Sequence, residues 1–375
     1  MTRTRVLVVD DAVVVRKIVT DALAEDPDIE VVGTAPNGRI ALAKIPQVNP
    51  DVVTLDVEMP EMDGLETLTE IRKLYPRLPV IMFSTLTERG AATTMEALLR
   101  GANDYVTKPA NVGSVAEAQQ RIKTDLLPRV HALSGKVRAR AATGFAPRAA
   151  APMAARSTAS RPSAPVRVDA VVIGVSTGGP NALAELLPQL PGDLPVPVLI
   201  VQHMPPMFTR LLADRLDSTC RLHVAEAGDL QPVTLGTILI APGDRHLTVQ
   251  RVGTVVRTRL DDGPPENSCR PSVDVLFRTA AAVYGPHTLG VVLTGMGHDG
   301  KNGSEHIHVA GGRILVQDEA TSVVWGMPGA VAAAGFADEV LPLTQVAAAI
   351  RRRAQVGRTS ADLAGSASVA EGGRR

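Results

Sequence analysis

Asp10, Asp11, Asp56 and Lys108 all stand where short apolar runs end: RVLVVDD, DVVTLD and DYVTK. Three carboxylates brought to one spot repel each other, and each resists ionisation unless a cation sits among them. A small set of oxygen donors suits Mg²⁺, which keeps several waters and pairs with phosphate. With an ammonium beside it, such a carboxylate can attack a phosphoryl group, because both cations neutralise the equatorial oxygens. The bland alternative is a set of ordinary acidic loop residues. The order DD, LDVEMPEMDG, FST, DYVTKP argues against it.

A second group lies downstream. In VVIGVSTGGP an apolar run stops at Ser176, and two glycines and a proline follow at once. His203 stands just past VPVLIVQ, and Asp299 just past LGVVLTGM. A serine, a histidine and an aspartate at three strand ends are the residues of acyl transfer: the histidine takes the serine proton, and the aspartate orients and charges the histidine. GVSTG fits the G-x-S-x-G formula of a nucleophile on a sharp turn. The chain order Ser, His, Asp differs from that of α/β-hydrolases, but triads are defined by role and geometry. A phosphate-binding loop fits less well, since no lysine follows STGGP. Ser176 or Thr177 could also simply cap a following helix. The local residues leave nucleophile, cap and glycine loop open. An acyl-transfer site also needs N–H donors for its oxyanion, and the glycines of GMG let the Met296 amide approach closely.

These residues depend on the elements that carry them. In residues 1–127, the valine-rich runs RVLVVD, VVGTA, DVVTLDV, PVIMFST and DYVTK alternate with amphipathic stretches such as GLETLTEIRKLY. In 168–355 the runs DAVVIGVS, PVPVLIVQH, GTILIAPGD and TLGVVLTGM repeat the theme. Such alternation predicts βαβ units. The expected fold is α/β, with two doubly wound parallel-sheet domains, and ligands lie beyond the carboxyl ends of such strands. Between the two, 128–167 is rich in Ala, Pro and Arg, with no acidic residue from Lys136 to Val168, and reads as a flexible linker. Residues 356–375 read as a disordered tail.

Composition narrows the function. The 375 residues carry 39 Lys+Arg and 39 Asp+Glu, so no global basic field draws in nucleic acid. Basic residues are spread along the second half and not massed on one helix, which argues against a DNA-reading head. Cys220 and Cys269 form neither a metal spacing nor a disulfide framework. Asp10 and Asp11 end the first apolar run too early for a signal peptide, and no stretch is long enough to span a bilayer. A cytoplasmic protein, not inserted in a membrane, is the expectation.

VLVVDD, LDVEMPEMDG and YVTKP resemble the receiver domain of bacterial response regulators, over nearly all of residues 3–125. The resemblance implies a flavodoxin-like fold with Asp56 as phosphoryl acceptor, fed by a histidine kinase. It implies Mg²⁺ held by Asp10, Asp11, Asp56 and the backbone carbonyl of Glu58. It implies Ser84 as switch hydroxyl, Tyr105 as rotating aromatic and Lys108 as phosphate contact, with a cis Lys108–Pro109 bond.

GVSTGGP, VQHMPPMF, APGDRHL, RPSVDVLF, TGMGHDG and SVVWGMPGAV resemble the chemotaxis protein-glutamate methylesterases (the CheB family), over about 168–345. The resemblance implies a Rossmann-like domain with Ser176, His203 and Asp299 as triad, and it points to Met296 as an oxyanion donor. It implies hydrolysis of γ-glutamyl methyl esters on methyl-accepting chemoreceptors, deamidation of certain receptor glutamines, and a chemotaxis histidine kinase as phosphodonor. No cofactor is expected in this half.

Among the other histidines, His246 could line the cleft, while His223, His287, His298, His306 and His308 are expected at the surface. Trp325 and Met327 are expected in the core or the cleft wall. Two features depart from the family pattern: the linker is long and basic, and KNGSEHIH (301–308) is more polar than a helix packed on the sheet should be. Two domains, one phosphorylatable switch and one tether lead to the expectation that the unphosphorylated receiver packs over the esterase cleft and blocks receptor access, and that phosphorylation of Asp56 shifts the equilibrium to an open form through Ser84 and Tyr105. A receiver coupled to a non-catalytic ligand-binding domain, or a hydrolase of small esters, are the alternatives.

Overall fold

The computed structural model describes residues 3–85, 87–108, 114–142 and 166–357. The chain divides into two compact units, Met1–Pro152 and Met153–Arg375.

The first unit alternates strand and helix from end to end: β1 (Thr4–Val9), α1 (Val13–Ala24), β2 (Ile29–Ala35), α2 (Gly38–Val48), β3 (Val52–Asp56), α3 (Gly64–Leu74), β4 (Val80–Ser84), α4 (Glu88–Leu99), β5 (Asp104–Thr107) and α5 (Val115–Ala142). Its sheet is parallel, in the order β2-β1-β3-β4-β5. β3 and β4 are buried along their whole length, as strands covered on both faces must be. The order reverses beside β1, so the ends of β1 and β3 flank the crevice where such sheets bind ligands.

The boundary expected at residue 127 falls inside α5. Val130 and Leu133 are buried, Arg129 pairs with Asp104 at 3.2 Å, and the Thr4 hydroxyl donates to Ser134 Oγ at 3.2 Å. Leu126, Val130 and Leu133 keep one helical face apolar through Pro128. Burial of the last two is worth roughly 1.5–3 kcal/mol each, which outweighs the weak helix preference of the local sequence. Most of the expected linker, the Lys108–Pro109 bond and nearly all of the expected tail lie outside the described residues.

The second unit contains β6 (Ala170–Val175), α6 (Gly179–Leu186), β7 (Val198–Gln202), α7 (Pro206–Asp217), β8 (His223–Glu226), β9 (Thr237–Ile240), β10 (His246–Val252), β11 (Val255–Asp261), α8 (Val273–Tyr284), β12 (Thr288–Val292), α9 (Lys301–Val309), β13 (Arg313–Gln317), α10 (Met327–Ala333), β14 (Glu339–Leu341) and α11 (Leu343–Ala354). Seven strands form a parallel sheet in the order β14-β13-β12-β6-β7-β9-β8, and β10 and β11 make a separate antiparallel hairpin. The chain builds outward from β6 through β7, then returns to add β12 on the other side. The reversal therefore lies at β6, with β7 and β12 as its neighbours.

The polar 301–308 stretch does form a helix on the sheet. Ile307 and Ser304 are fully buried, and a Cβ on Gly303 would come within 2.5 Å of Phe277 Cβ, so α9 lies close against α8. Small residues at the contact replace the bulkier apolar ones expected there. No described helix is long and apolar enough to cross a membrane.

Candidate active sites

In the first unit, Asp10 and Asp11 follow β1, Asp56 closes β3 and Lys108 follows β5. Carboxylate oxygens of the three aspartates lie within 4.8 Å of one another. Lys108 Nζ stands 2.8 Å from Asp10 Oδ2 and 2.7 Å from Asp56 Oδ2. These two oxygens are buried and meet no other donor among the described residues. Burial pushes the Asp56 carboxyl up to about 6, against the pull of Lys108 and with a further push from Asp10. Burial works against charge on Lys108, but its bonds to Asp10 and Asp56 win and raise its pKa. Glu58 is exposed, with its amide 3.4 Å from Asp56 Oδ1. Ser84 is fully buried and donates to the carbonyls of Gly90 (3.1 Å) and Thr85 (3.2 Å), at the entry to α4. Tyr105 is buried on β5, with its phenol held neutral chiefly by burial.

In the second unit, Ser176 follows β6 directly. The ladder pairs Val175 with Gln202, so Ser176 and His203 are the next residues on neighbouring strands, roughly 4.8 Å apart in the hydrogen-bonding direction. His203 N bonds Val175 O at 3.3 Å, and the Gln202 side-chain amide holds Ser176 O at 3.1 Å. Gly178, at φ +79°, turns the chain from the serine into α6, a conformation that costs glycine nothing. The Ser176 hydroxyl makes no hydrogen bond with any described residue.

Asp299 reaches the site from the loop after β12. Its Oδ2 accepts from His203 Nε2 at 2.8 Å and from Val273 N at 2.7 Å. Its Oδ1 accepts from Ser272 Oγ (2.9 Å), Asn267 Nδ2 (2.8 Å), Asp274 N (3.0 Å) and Gly300 N (3.0 Å). The carboxylate thus sits on the N-terminus of α8, where free amides and the helix dipole favour an anion. Burial opposes its charge, but the His203 contact and the amides hold it down at about 2. Burial likewise opposes charge on His203, yet Asp299 and Cys269 together push the imidazole up to about 9.

Met296 lies on the same loop, half-buried, and its amide has no hydrogen-bond partner among the described residues. Gly295 packs so tightly that a Cβ there would stand 3.0 Å from Ser176 Cβ. Trp325 is half-buried and donates to Gln317 O at 2.9 Å, while Met327 is core. His246 is buried, accepting from Ser272 N at 3.1 Å, with its other ring nitrogen 3.0 Å from Pro264 O. It braces the loop before α8. His298 is exposed.

The sequence reading missed what that loop does. Asn267, Cys269 and Ser272 all touch the His203–Asp299 pair, with Cys269 Sγ 3.5 Å from His203 Nδ1. The signal available was the NSC immediately before RPSVD, a polar run at the mouth of a helix.

An Asp/Asp/Asp/Lys crevice at the strand ends of one parallel sheet and a Ser/His/Asp cluster at those of another are the sites of a receiver-bearing serine hydrolase. The comparisons narrow this class. The CheB methylesterase model matches residues 171–350, and the response regulator receiver domain model matches 6–120. The protein-glutamate methylesterase/protein-glutamine glutaminase of Trichodesmium erythraeum is 52% identical over 94% of this chain and 99% of its own length. Its namesake from a Nocardioides species is 54% identical over 93% and 95%. The crystal structure of the Thermotoga maritima CheB methylesterase catalytic domain is 44% identical, covering 50% of this chain and 99% of that one, with a TM-score of 0.49. The chain belongs to the CheB family of receiver-bearing protein-glutamate methylesterases.

Proposed function

We propose that this protein hydrolyses γ-glutamyl methyl esters on the cytoplasmic helices of methyl-accepting chemoreceptors, releasing methanol, and deamidates receptor glutamines at the same site. The observation that carries the reading is the His203–Asp299 pair at 2.8 Å, set beside Ser176 by the β6–β7 register.

With Nε2 bonded to ionised Asp299, His203 keeps Nδ1 for the nucleophile's proton. Ser176 Oγ attacks the ester carbonyl as its proton passes to Nδ1. The oxyanion that forms is met by the Met296 amide, a donor worth on the order of 3 kcal/mol in barrier. The C–O bond to methanol breaks, and Nδ1–H protonates the leaving oxygen. Water then adds to the acyl-serine with His203 again as base, leaving free glutamate. With glutamine, ammonia departs in place of methanol. Asp299 stays ionised throughout and stabilises the imidazolium.

The receiver governs this activity. A chemotaxis histidine kinase supplies the phosphoryl group, and Asp56 accepts it. Asp10, Asp11 and Asp56, with the Glu58 carbonyl, would hold Mg²⁺, which draws negative charge from the transferring oxygens. The fit rests on the hard-oxygen donor set and on the two buried oxygens that, among the described residues, Lys108 alone meets. Ser84 and Tyr105 relay the change, Ser84 through its bond to the start of α4.

The test is methanol release from methylated receptor fragments. The full chain should release it and Ser176→Ala should not. Equal release by both would reject the reading.

A further inference from the structure

The RPSVDVLF motif and the residues before it have no part in the scheme above, yet they supply five of the contacts around the catalytic pair, from Asn267, Cys269, Ser272, Val273 and Asp274. Consecutive left-handed residues, Asn267 (φ +54°) and Ser268 (φ +62°), turn the chain there, and Asn and Ser reach that region at some cost. Arg270 anchors the turn, pairing with Asp244 at 2.6 Å and bonding the carbonyls of Asp262 and Gly263 at 3.1 Å each. The turn therefore holds a fixed shape, and it brings the Cys269 thiol to His203.

The contact falls on a particular nitrogen. A ring nitrogen offers one in-plane position, either a lone pair or an N–H. Nε2 is committed to Asp299, so Nδ1 alone can receive the Ser176 proton. Cys269 Sγ stands 3.5 Å from Nδ1, whereas the Ser176 hydroxyl is bonded to nothing described. Hydroxyl and thiol thus compete for one atom.

We propose that Cys269 is a positioning residue for the methylesterase reaction: its thiol engages His203 Nδ1 in the resting site and must yield that nitrogen before Ser176 can be deprotonated. The inference rests on the proposed esterase reading and adds a device that sets its pH range. The groups facing His203 are Asp299, from the loop after β12, and Cys269, from the loop before α8. Around Asp299 lie Asp274 on α8, the Glu266–Arg278 pair across loop and helix, and His246 at the start of β10. Of the two direct neighbours, only Cys269 can be removed without dismantling the triad. While His203 is protonated its Nδ1–H donates to Cys269 Sγ, so the contact favours the imidazolium and its loss lets His203 release its proton more readily. Cys220 offers an internal control. It is buried away from the site, with its thiol pushed up to about 11 chiefly by burial.

The experiment compares kcat/KM against pH for the full chain, Cys269→Ala, Cys269→Ser and Cys220→Ala, using a methylated receptor fragment. The expected result is an acid limb displaced to lower pH in both Cys269 variants, by on the order of one pH unit. Rates well below both limbs should then rise by about tenfold, a gain that a structural lesion does not produce. Cys220→Ala should keep the wild-type limb. If alanine impairs folding, the serine variant decides alone, because its shorter Cβ–O bond leaves the hydroxyl short of Nδ1 on a side chain only slightly smaller than cysteine. An unmoved limb in the Cys269 variants overturns the proposal, whatever the rate does. Failure of the wild-type chain to release methanol is a separate result, and it would reject the esterase reading instead.

Discussion

His203 turns Nε2 toward Asp299, with 2.8 Å between Nε2 and Oδ2. Because that carboxylate also accepts from four backbone or side-chain groups at the mouth of α8 and from Gly300 N, it is ionised and fixed. Asp299→Asn should lower kcat by roughly 10³–10⁴, since an amide cannot hold the imidazole in the required tautomer. The same change turns an NH₂ group toward the amide of Val273 or, in the flipped rotamer, that of Asp274, and should cost about 1–3 kcal/mol of stability. Kinetics and chemical denaturation of the variant check both numbers. A variant with near wild-type kcat would remove Asp299 from the mechanism.

The base must be neutral to work, and Asp299 and Cys269 push His203 up to about 9. The rate constant kcat/KM should therefore climb with pH through the neutral range toward 9, above the ordinary histidine value of about 6.5. Stability should move the other way. The folded protein favours the imidazolium, so this contribution is full below about 6.5 and is lost as pH rises through about 9. Asp299, held down at about 2, contributes above its ordinary value of roughly 3.9 and is lost only in strong acid. A pH–rate profile beside denaturation midpoints at pH 6, 7.5 and 9 would expose a wrong sign for His203, and midpoints carried down into acid would do so for Asp299.

Gly295 leaves no room for a methyl group. A Cβ there would stand 2.4 Å from Met327 Sδ and 3.0 Å from Ser176 Cβ, and bonds to Val324, Gly326 and Met327 pin its backbone. Gly295→Ala should displace the serine and lower kcat by on the order of 10². Overpacking should cost about 1–3 kcal/mol. Kinetics alongside thermal melts separate the two effects; unchanged kcat in a destabilised variant would show that the serine is not displaced.

Phosphoryl transfer to Asp56 should need both the carboxylate and the metal. With acetyl phosphate and Mg²⁺ the full chain should gain one phosphoryl group by intact-mass measurement, and its esterase rate should rise. Asp56→Asn should do neither, and a chelator should abolish both in the wild type. Activation of Asp56→Asn by the same treatment would disconnect the receiver from the esterase.

Most of the scaffold was legible because the strands are buried on both faces and read as unbroken apolar runs. β6, β7 and β12 are fully buried; Ser176 and His203 directly follow the first two, and β12 leads into the loop that carries Asp299. The missed parts obey other rules. α5 continues past Pro128 because Val130 and Leu133 find the receiver core, and local composition concealed that packing. α9 forms in a polar stretch because Gly303 and Ser304 give the close approach that bulkier residues would block. The Asn267–Cys269 turn follows from backbone conformation and from the Arg270–Asp244 pair. Neither leaves a periodic trace, so contacts to His203 and Asp299 from that turn appear only in three dimensions.

Ser176 and Cys269 both neighbour the same imidazole, so the identity of the acylated atom tests the central claim most directly. A methylated receptor peptide, mixed with the full chain and quenched in acid within the first turnover, should leave its γ-glutamyl group on one residue. Peptide mapping by mass spectrometry should find it as an ester on Ser176, with Cys269 unmodified. A thioester on Cys269, or turnover with no acyl group on Ser176, would contradict the account.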